Sequence, residues 1–357
     1  MSDILLSVIE LLCVELWQEI FEYFNFHDLW YSFRGLNSRI DAIMDQIILH
    51  IDFKNGDDYS YFEKNILLSV KNIANVRSLK LRRTNEIKHF FLIYSLSSFT
   101  QLRLLSLTLK YSFNDKLFRF WNQLSSLKNL RRLEIKFWGI TGPNNCIQEK
   151  EYIIRSIFNK DYCPLLESLI ISTCGRQKQI PTIPLLIRTS RSTNLKRLFI
   201  DSLTFNDLIK LFPALANLQT CCIDYKLYAD DQPDPREPQI LTTGLMLPKC
   251  IQLNLRSVNV IMFEQIEYLL QQTPNLKELF LSGWYHIPNA KKWELLLSIQ
   301  CPKLIKFYLS CRGGAYNADF YQAIDDFAEE CNITPYWLTR HTITEMYGYF
   351  RCRFEYY

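Results

Sequence analysis

Leu130-Arg131-Arg132-Leu133-Glu134-Ile135 carries the pattern on which the fold turns: apolar residues at the first, fourth and sixth places of a six-residue unit. The last two apolar positions are two apart, so on an extended chain they project to one side while the residues beside them project to the other. The first lines the bend into that strand. Working outward, the same spacing recurs at Val76, Leu79, Leu81; Leu102, Leu105, Leu107; Leu166, Leu169, Ile171; and Leu195, Leu198, Ile200. It continues at Leu218, Cys221, Ile223; Cys250, Leu253, Leu255; Leu276, Leu279, Leu281; and Leu304, Phe307, Leu309. The starts of these nine copies are 26, 28, 36, 29, 23, 32, 26 and 28 residues apart, and Asn or Pro often precedes the first apolar residue. Between them lie helix-compatible runs: Phe90–Leu96, Leu117–Leu124, Tyr152–Phe158, Phe205–Phe212, Phe263–Gln271 and Trp293–Ile299. One strand and one helix cannot bury an apolar side alone, but stacked copies share a continuous core. The pattern predicts an α/β fold.

These repeats resemble the leucine-rich repeat family over about residues 74–311. The resemblance implies a solenoid over 74–315, with short parallel strands on a concave face and helices on the convex one. The family's ladder position, eight residues after the first apolar one, is Asn or Cys. Here it is Thr84, Lys110, Trp138, Cys174, Leu203, Lys226, Val258, Trp284 and Arg312, so only Cys174 conforms. Backbone groups at these turns must find other partners.

The N-terminal stretch from Leu12 to Met44 has helical spacing instead. Leu12, Leu16, Ile20 and Phe24 recur every four residues and Phe21 widens the stripe, while Glu15, Gln18, Glu19 and Glu22 fall on the other side. Asp28 is placed to cap a second helix from Leu29 through Phe33 towards Leu36, and Ile40, Ile43 and Met44 mark a third. The ordering of Leu12, Glu15-Leu16, Glu19-Ile20-Phe21, Tyr23-Phe24, Asp28-Leu29 and Leu36-Asn37-Ser38-Arg39 resembles an F-box. That family docks on the Skp-type adaptor of an SCF (cullin–RING) ubiquitin ligase. The resemblance implies adaptor contacts from Leu12, Cys13, Glu15, Leu16, Ile20, Phe21, Phe24 and Leu29. It departs from the family at Cys13, where proline is usual and would preset the helix start. The expected divisions are an F-box-like helical domain over 8–52, a linker and first helix over 53–73, the repeats over 74–315, and a C-terminal cap or tail over 316–357.

Composition narrows the classes. The chain has 357 residues, 48% of them hydrophobic, enough for a substantial core. Its net charge of +4 points to neither nucleic acid nor a membrane surface. Residues 1–50 hold eight acidic and two basic side chains, so the remainder carries +10. Eleven scattered cysteines with no CxxC read as reduced, buried thiols rather than a disulfide framework or a metal site. Asp3, Glu10 and Glu15 spoil a secretory signal, and no apolar run of membrane-spanning length occurs, so a soluble protein of cytoplasm or nucleus is expected.

No phosphate-cradling glycine loop, GxSxG elbow or HExxH is present, and neither an enzyme nor a cofactor is expected. What the repeats offer is a surface. The outward strand positions include Lys80, Arg82, Arg132, Lys136, Arg197, Phe199, Phe280 and Tyr308. They read either as solvated strand faces or as a basic, partly aromatic groove for an acidic or phosphorylated protein segment. Residues 139–151 and 228–248 interrupt the repeats, as tolerated surface loops or, for the acidic, proline-rich second, as a flap over a bound partner. The tail from Asp319 begins amphipathic and ends aromatic, which suits a cap on the last repeat or a partner-binding tail. The functional expectation is a non-catalytic substrate receptor of an SCF ligase, with a repeat scaffold unconnected to ubiquitination as the alternative.

Overall fold

A computed structural model of the chain describes residues 12–24, 26–53, 59–60, 62, 73–110, 121–138, 152–158, 163–174, 193–228, 246–256, 261–284, 289–312, 318–338, 341–346 and 349–355. Each of the nine apolar copies contributes one strand of parallel sheet, and all three apolar positions of every copy are buried, none more than 5% exposed. Contacts divide the chain into two units, Met1–Thr141 with Tyr162–Leu165, and Gly142–Asp161 with Leu166–Tyr357.

The first unit begins with three short helices, α1 (Val14–Glu22), α2 (Phe26–Phe33) and α3 (Ser38–Met44). An aromatic core joins them, with the Phe33 ring 5.1 Å from Phe21, 5.2 Å from Phe24 and 5.9 Å from Trp17. α2 starts at Phe26, so Asp28 sits in its first turn, where its charge suits the helix dipole, rather than at the cap. Leu36 lies beyond the helix and is exposed. The chain reverses at Gly35, whose φ of +81° is the left-handed conformation glycine tolerates, and the Gly35 N–H donates to Asp41 Oδ1 at 2.8 Å. Asn37 Oδ1 then caps α3 by accepting from the Ile40 N–H at 2.8 Å.

Four parallel strands follow: β1 (Leu49–Asp52), β2 (Val76–Leu81), β3 (Leu104–Lys110) and β4 (Arg132–Trp138). β1 was grouped by sequence with the helical domain, yet it pairs with β2. Register carries the repeat into the core, aligning Leu79 with Leu105 and Leu133, and Leu81 with Leu107 and Ile135. The helix expected at Phe90–Leu96 is displaced: α4 runs Thr84–Ile93, and Leu96–Ser98 is a tight 3-10 turn. Ile87 and Phe90, both fully buried, fix its inner face.

In the second unit β5 (Ser168–Cys174), β6 (Arg197–Thr204), β7 (Thr220–Tyr228), β8 (Gln252–Leu255), β9 (Glu278–Trp284) and β10 (Lys306–Arg312) are parallel in sequence order. Leu169, Leu198, Cys221, Leu253, Leu279 and Phe307 stand side by side. Helices α5 (Phe205–Leu211), α6 (Phe263–Gln271) and α7 (Ala290–Gln300) lie between strands near the expected runs, and 152–158 is helical as well. The interrupting loops at 139–151 and 229–245 lie outside the described residues.

The tail closes this sheet. After α8 (Ala318–Ile333) and α9 (Pro335–Leu338), a hairpin of β11 (His341–Met346) and β12 (Tyr349–Glu355) returns, and β12 pairs antiparallel with β10. Glu330 on α8 accepts from the Asn289 side chain at 2.6 Å and from the Ala290 N–H at 2.7 Å, capping the N-terminus of α7.

At three of the copies the missing ladder has a substitute one residue before the first apolar position. Asn129 Nδ2 donates to Thr100 O at 2.8 Å, Asn217 Nδ2 to Thr193 O at 3.0 Å, and Asn275 Nδ2 to Pro248 O at 2.7 Å. In each case the acceptor is the carbonyl two residues before the preceding copy. Lys249 and Lys303 extend this chain of bonds by donating to Asn217 and Asn275 at 2.7 and 2.6 Å. Asn275→Ala should therefore lower stability by about 1–2 kcal/mol in urea denaturation, because a turn carbonyl and Lys303 both lose their partner. A loss under about 0.3 kcal/mol would show that solvent serves those groups equally well.

Candidate functional site

Two surfaces combine exposure with chemistry. On α1 the apolar residues split into two faces. Trp17 and Phe21 turn inward, with Phe21 only 3% exposed, whereas Leu16 at 44% and Phe24 at 39% remain outward. Val14 is also exposed but lies about 200° around the helix from Leu16, Tyr23 is exposed just past its end, and Ile20 is half-buried. Leu29 is 3% exposed and packs inside the unit. Phe21 and Leu29 thus lie mostly beneath the exposed residues. The reason is helical phase: Trp17 and Phe21 are also four apart, one position on from Leu16 and Ile20. Glu15, exposed in the first turn, has its carboxyl held below the usual range by hydrogen bonds from the backbone and Cys13.

Cys13 is the N-cap residue of α1, with φ −67° and ψ 162°, and its carbonyl accepts from the Trp17 N–H at 3.2 Å. Leu12 is anchored next to it by Arg39, whose guanidinium donates to its carbonyl at 2.7 Å. The backbone at Cys13 already has the φ that proline imposes. Cys13→Pro should then be tolerated and raise stability by about 0.4–1 kcal/mol through the unfolded chain, measured by thermal melting. A lowered melting temperature would contradict this.

Beside Phe24 is a cleft of about 180 Å³ lined by Phe21, Leu29 and Ile47, with Glu22, His50 and Arg77 supplying polar groups. Burial, then the charges of Arg77 and Lys80, lower the pKa of His50 against the opposing pull of Glu22.

The second surface is the outward side of the strands, and the two units differ there. In the first, Asp52, Lys80, Ser106 and Glu134 align across β1 to β4. Lys80 Nζ lies 3.2 Å from Asp52, Arg82 reaches the same carboxylate at 3.0 Å, and Arg132 bonds Glu134. Three of the expected groove cations are therefore already paired within the unit; Lys136 is half-buried on β4. Asp52 lies outside the repeat, so no repeat-based reading could assign it this role.

Burial opposes ionisation of Glu134, but hydrogen bonds from Arg132 and Ser106 and the charges of Arg132 and Lys136 outweigh it and hold the carboxyl below its usual range. A lowered folded pKa stabilises the fold fully above the unfolded value near ~4.5 and ceases to do so as pH falls through the folded value. The stability difference between the natural chain and Glu134→Gln should be constant from neutral pH down to about 5 and shrink below it. Urea midpoints measured across that range check this, and a difference that grows on acidification would refute it.

In the second unit the equivalent row is uncharged: Ile170, Phe199, Cys222, Asn254, Phe280 and Tyr308 stand in register across β5 to β10. Phe199, Phe280 and Tyr308 are half-buried, and the Phe280 and Tyr308 rings are 6.2 Å apart. Arg197, exposed, begins the neighbouring row. Sequence reading singled out the aromatic members and missed Ile170, Cys222 and Asn254, although the same offset within each copy would have found them.

Chemistry of other kinds is sparse. Of the nine cysteines whose surroundings are described, Cys13 alone is exposed. Burial pushes Cys163, Cys250 and Cys311 to about 12, so these thiols stay protonated. Among the described residues no three His, Cys, Asp or Glu side chains are grouped to hold a metal ion, and no helix is long and apolar enough to cross a membrane. Comparison with family models and with curated proteins finds no match to this chain.

Proposed function

We propose that this chain is a non-catalytic substrate-recognition subunit of an SCF ubiquitin ligase, an F-box module followed by leucine-rich repeats, acting in cytoplasm or nucleus. The helical module docks the Skp-type adaptor, and the strand face holds a protein substrate. The observation that carries this reading is that the apolar stripe of the first helix is left partly outward, with Leu16 44% exposed on α1 and Phe24, just past its end, 39% exposed. A helix serving only as a cap would bury that stripe against the first repeat. The repeat reading is supported by nine copies of one spacing that each occupy one parallel strand.

The chain's contribution is proximity. Holding substrate and adaptor on one molecule raises the effective concentration of substrate near a conjugating enzyme carried elsewhere. The outcome expected is direct retention of the purified full-length chain by an immobilised Skp-type adaptor. Absence of retention overturns the proposal.

A repeat scaffold with an N-terminal cap is the second reading. It is favoured by the way the module is fastened down: Phe26 lies 5.7 Å from Phe62, and Asn75 donates to Asp45 O at 3.3 Å. The same adaptor experiment separates the two.

A further inference from the structure

Of the two strand faces, the one in the second unit shows what class of segment it fits. This inference rests on the proposed role as a substrate receptor and concerns its ligand. Six consecutive strands present Ile170, Phe199, Cys222, Asn254, Phe280 and Tyr308 in one row without a charge. Strands are about 4.8 Å apart, so the row is roughly 24 Å long and spans about seven residues of an extended chain laid across it. The aromatic pair at Phe280 and Tyr308 supplies rigid contact area at one end.

Carboxylates beside the row disfavour a phosphorylated segment. Lys306 lies 3.9 Å from Glu278, and Arg256 is 2.8 Å from Asp224. Glu278 also accepts from Gln252 at 3.0 Å. A phosphate carrying nearly two charges would have to displace one of these carboxylates and would meet its repulsion. At the centre of the row the side-chain oxygen of Asn254 is buried and has no hydrogen-bond partner among the described residues.

We infer that the row Ile170–Phe199–Cys222–Asn254–Phe280–Tyr308 is a docking surface for an unphosphorylated, extended protein segment of about seven residues whose contacting side chains are aromatic or aliphatic. Its chemistry differs from that of the acidic or phosphorylated ligand expected of a basic groove, because the row itself holds no charge and Lys80, Arg82 and Arg132 of that groove are already paired.

The test uses the full-length chain, fluorescently labelled, on an array of octapeptides in which every Ser, Thr and Tyr is present in free and phosphorylated form. Bound peptides are expected to be uncharged, with aromatic or aliphatic residues at alternate positions, and phosphorylation should weaken them. Titration of the best octapeptide should show at least a ten-fold loss for Phe280→Ser, Tyr308→Ser and Asn254→Asp, and less than a two-fold change for Lys80→Glu on the other unit. Circular dichroism confirms that each variant is folded, and any that is not is replaced by Phe199→Ser. Preference for phosphorylated or acidic peptides, no peptide bound, or indifference to these substitutions would each overturn the inference. Adaptor retention is scored separately on the same preparation. A chain that binds adaptor but no peptide defeats this inference alone, whereas one that binds peptide but no adaptor defeats the ligase reading.

Discussion

Trp337→Ala should destabilise the second unit by about 3–5 kcal/mol, the largest single loss expected in this chain. Trp337 is fully buried on α9, with ring neighbours Phe307 and Phe327 each 6.2 Å away. Its indole Nε1 donates to Ala290 O at 3.3 Å, at the start of α7. Truncation leaves a cavity under β10 that the neighbouring rings cannot fill without leaving their rotamers, and it strands a carbonyl as well. The terminal repeat then loses its cover, and its apolar side faces water. Urea denaturation followed by circular dichroism should show an early transition from the second unit. A shift equivalent to less than about 1 kcal/mol would mean that the tail adds little to the repeats.

Adaptor binding should fall at least about 100-fold in Leu16→Asp combined with Phe24→Asp. Each substitution forfeits about 1.5–3 kcal/mol of apolar burial at an interface and places a carboxylate where it would be desolvated without a partner. The summed penalty exceeds the roughly 2.7 kcal/mol that a 100-fold change requires. Both side chains are more than one-third exposed in the chain alone, but Phe24 also packs on Phe33, so circular dichroism of the double variant is compared with that of the natural chain and Leu16→Asp alone serves if the pair unfolds. Phe21→Asp is the contrasting variant: at 3% exposure beside Trp17 and Phe33, it should unfold the helical module instead. Titration calorimetry with the purified adaptor measures the first effect. Equal affinity for the double variant and the natural chain would remove α1 from the interface.

The strand copies were legible because their spacing is a backbone property. An apolar pair two residues apart enters one side of any strand, and Leu133 with Ile135 or Leu279 with Leu281 says so wherever it stands. Of the helices between copies, α5, α6, α7 and 152–158 were legible to within a few residues, residues 117–120 of the run expected over 117–124 lie outside the described residues, and α4 is displaced. There Thr84, Asn85 and Glu86 begin a helix six residues before the apolar run that marks it. At the N-terminus the four-residue stripe was correctly helical but ambiguous in phase. Leu16 and Trp17 lie only about 100° apart around the helix, and sequence alone does not tell which faces the core. Packing against Phe33 decides it.

The docking surfaces depend more heavily on what comes together in space. Lys80, Arg82 and Arg132 read as a basic groove until Asp52 and Glu134 are seen beside them, and Asp52 arrives from a strand that carries no repeat. Asn254 is ordinary in sequence and becomes notable only in register between Cys222 and Phe280.

What the sequence by itself determined is the periodic part: nine strands, their parallel order and their inward faces, because local spacing and stacking dictate these together. What only the tertiary structure decided is which outward residues remain free to act. Ion pairing and burial depend on neighbours that are distant along the chain, and charges that sum to a groove on paper cancel across adjacent strands about 4.8 Å apart.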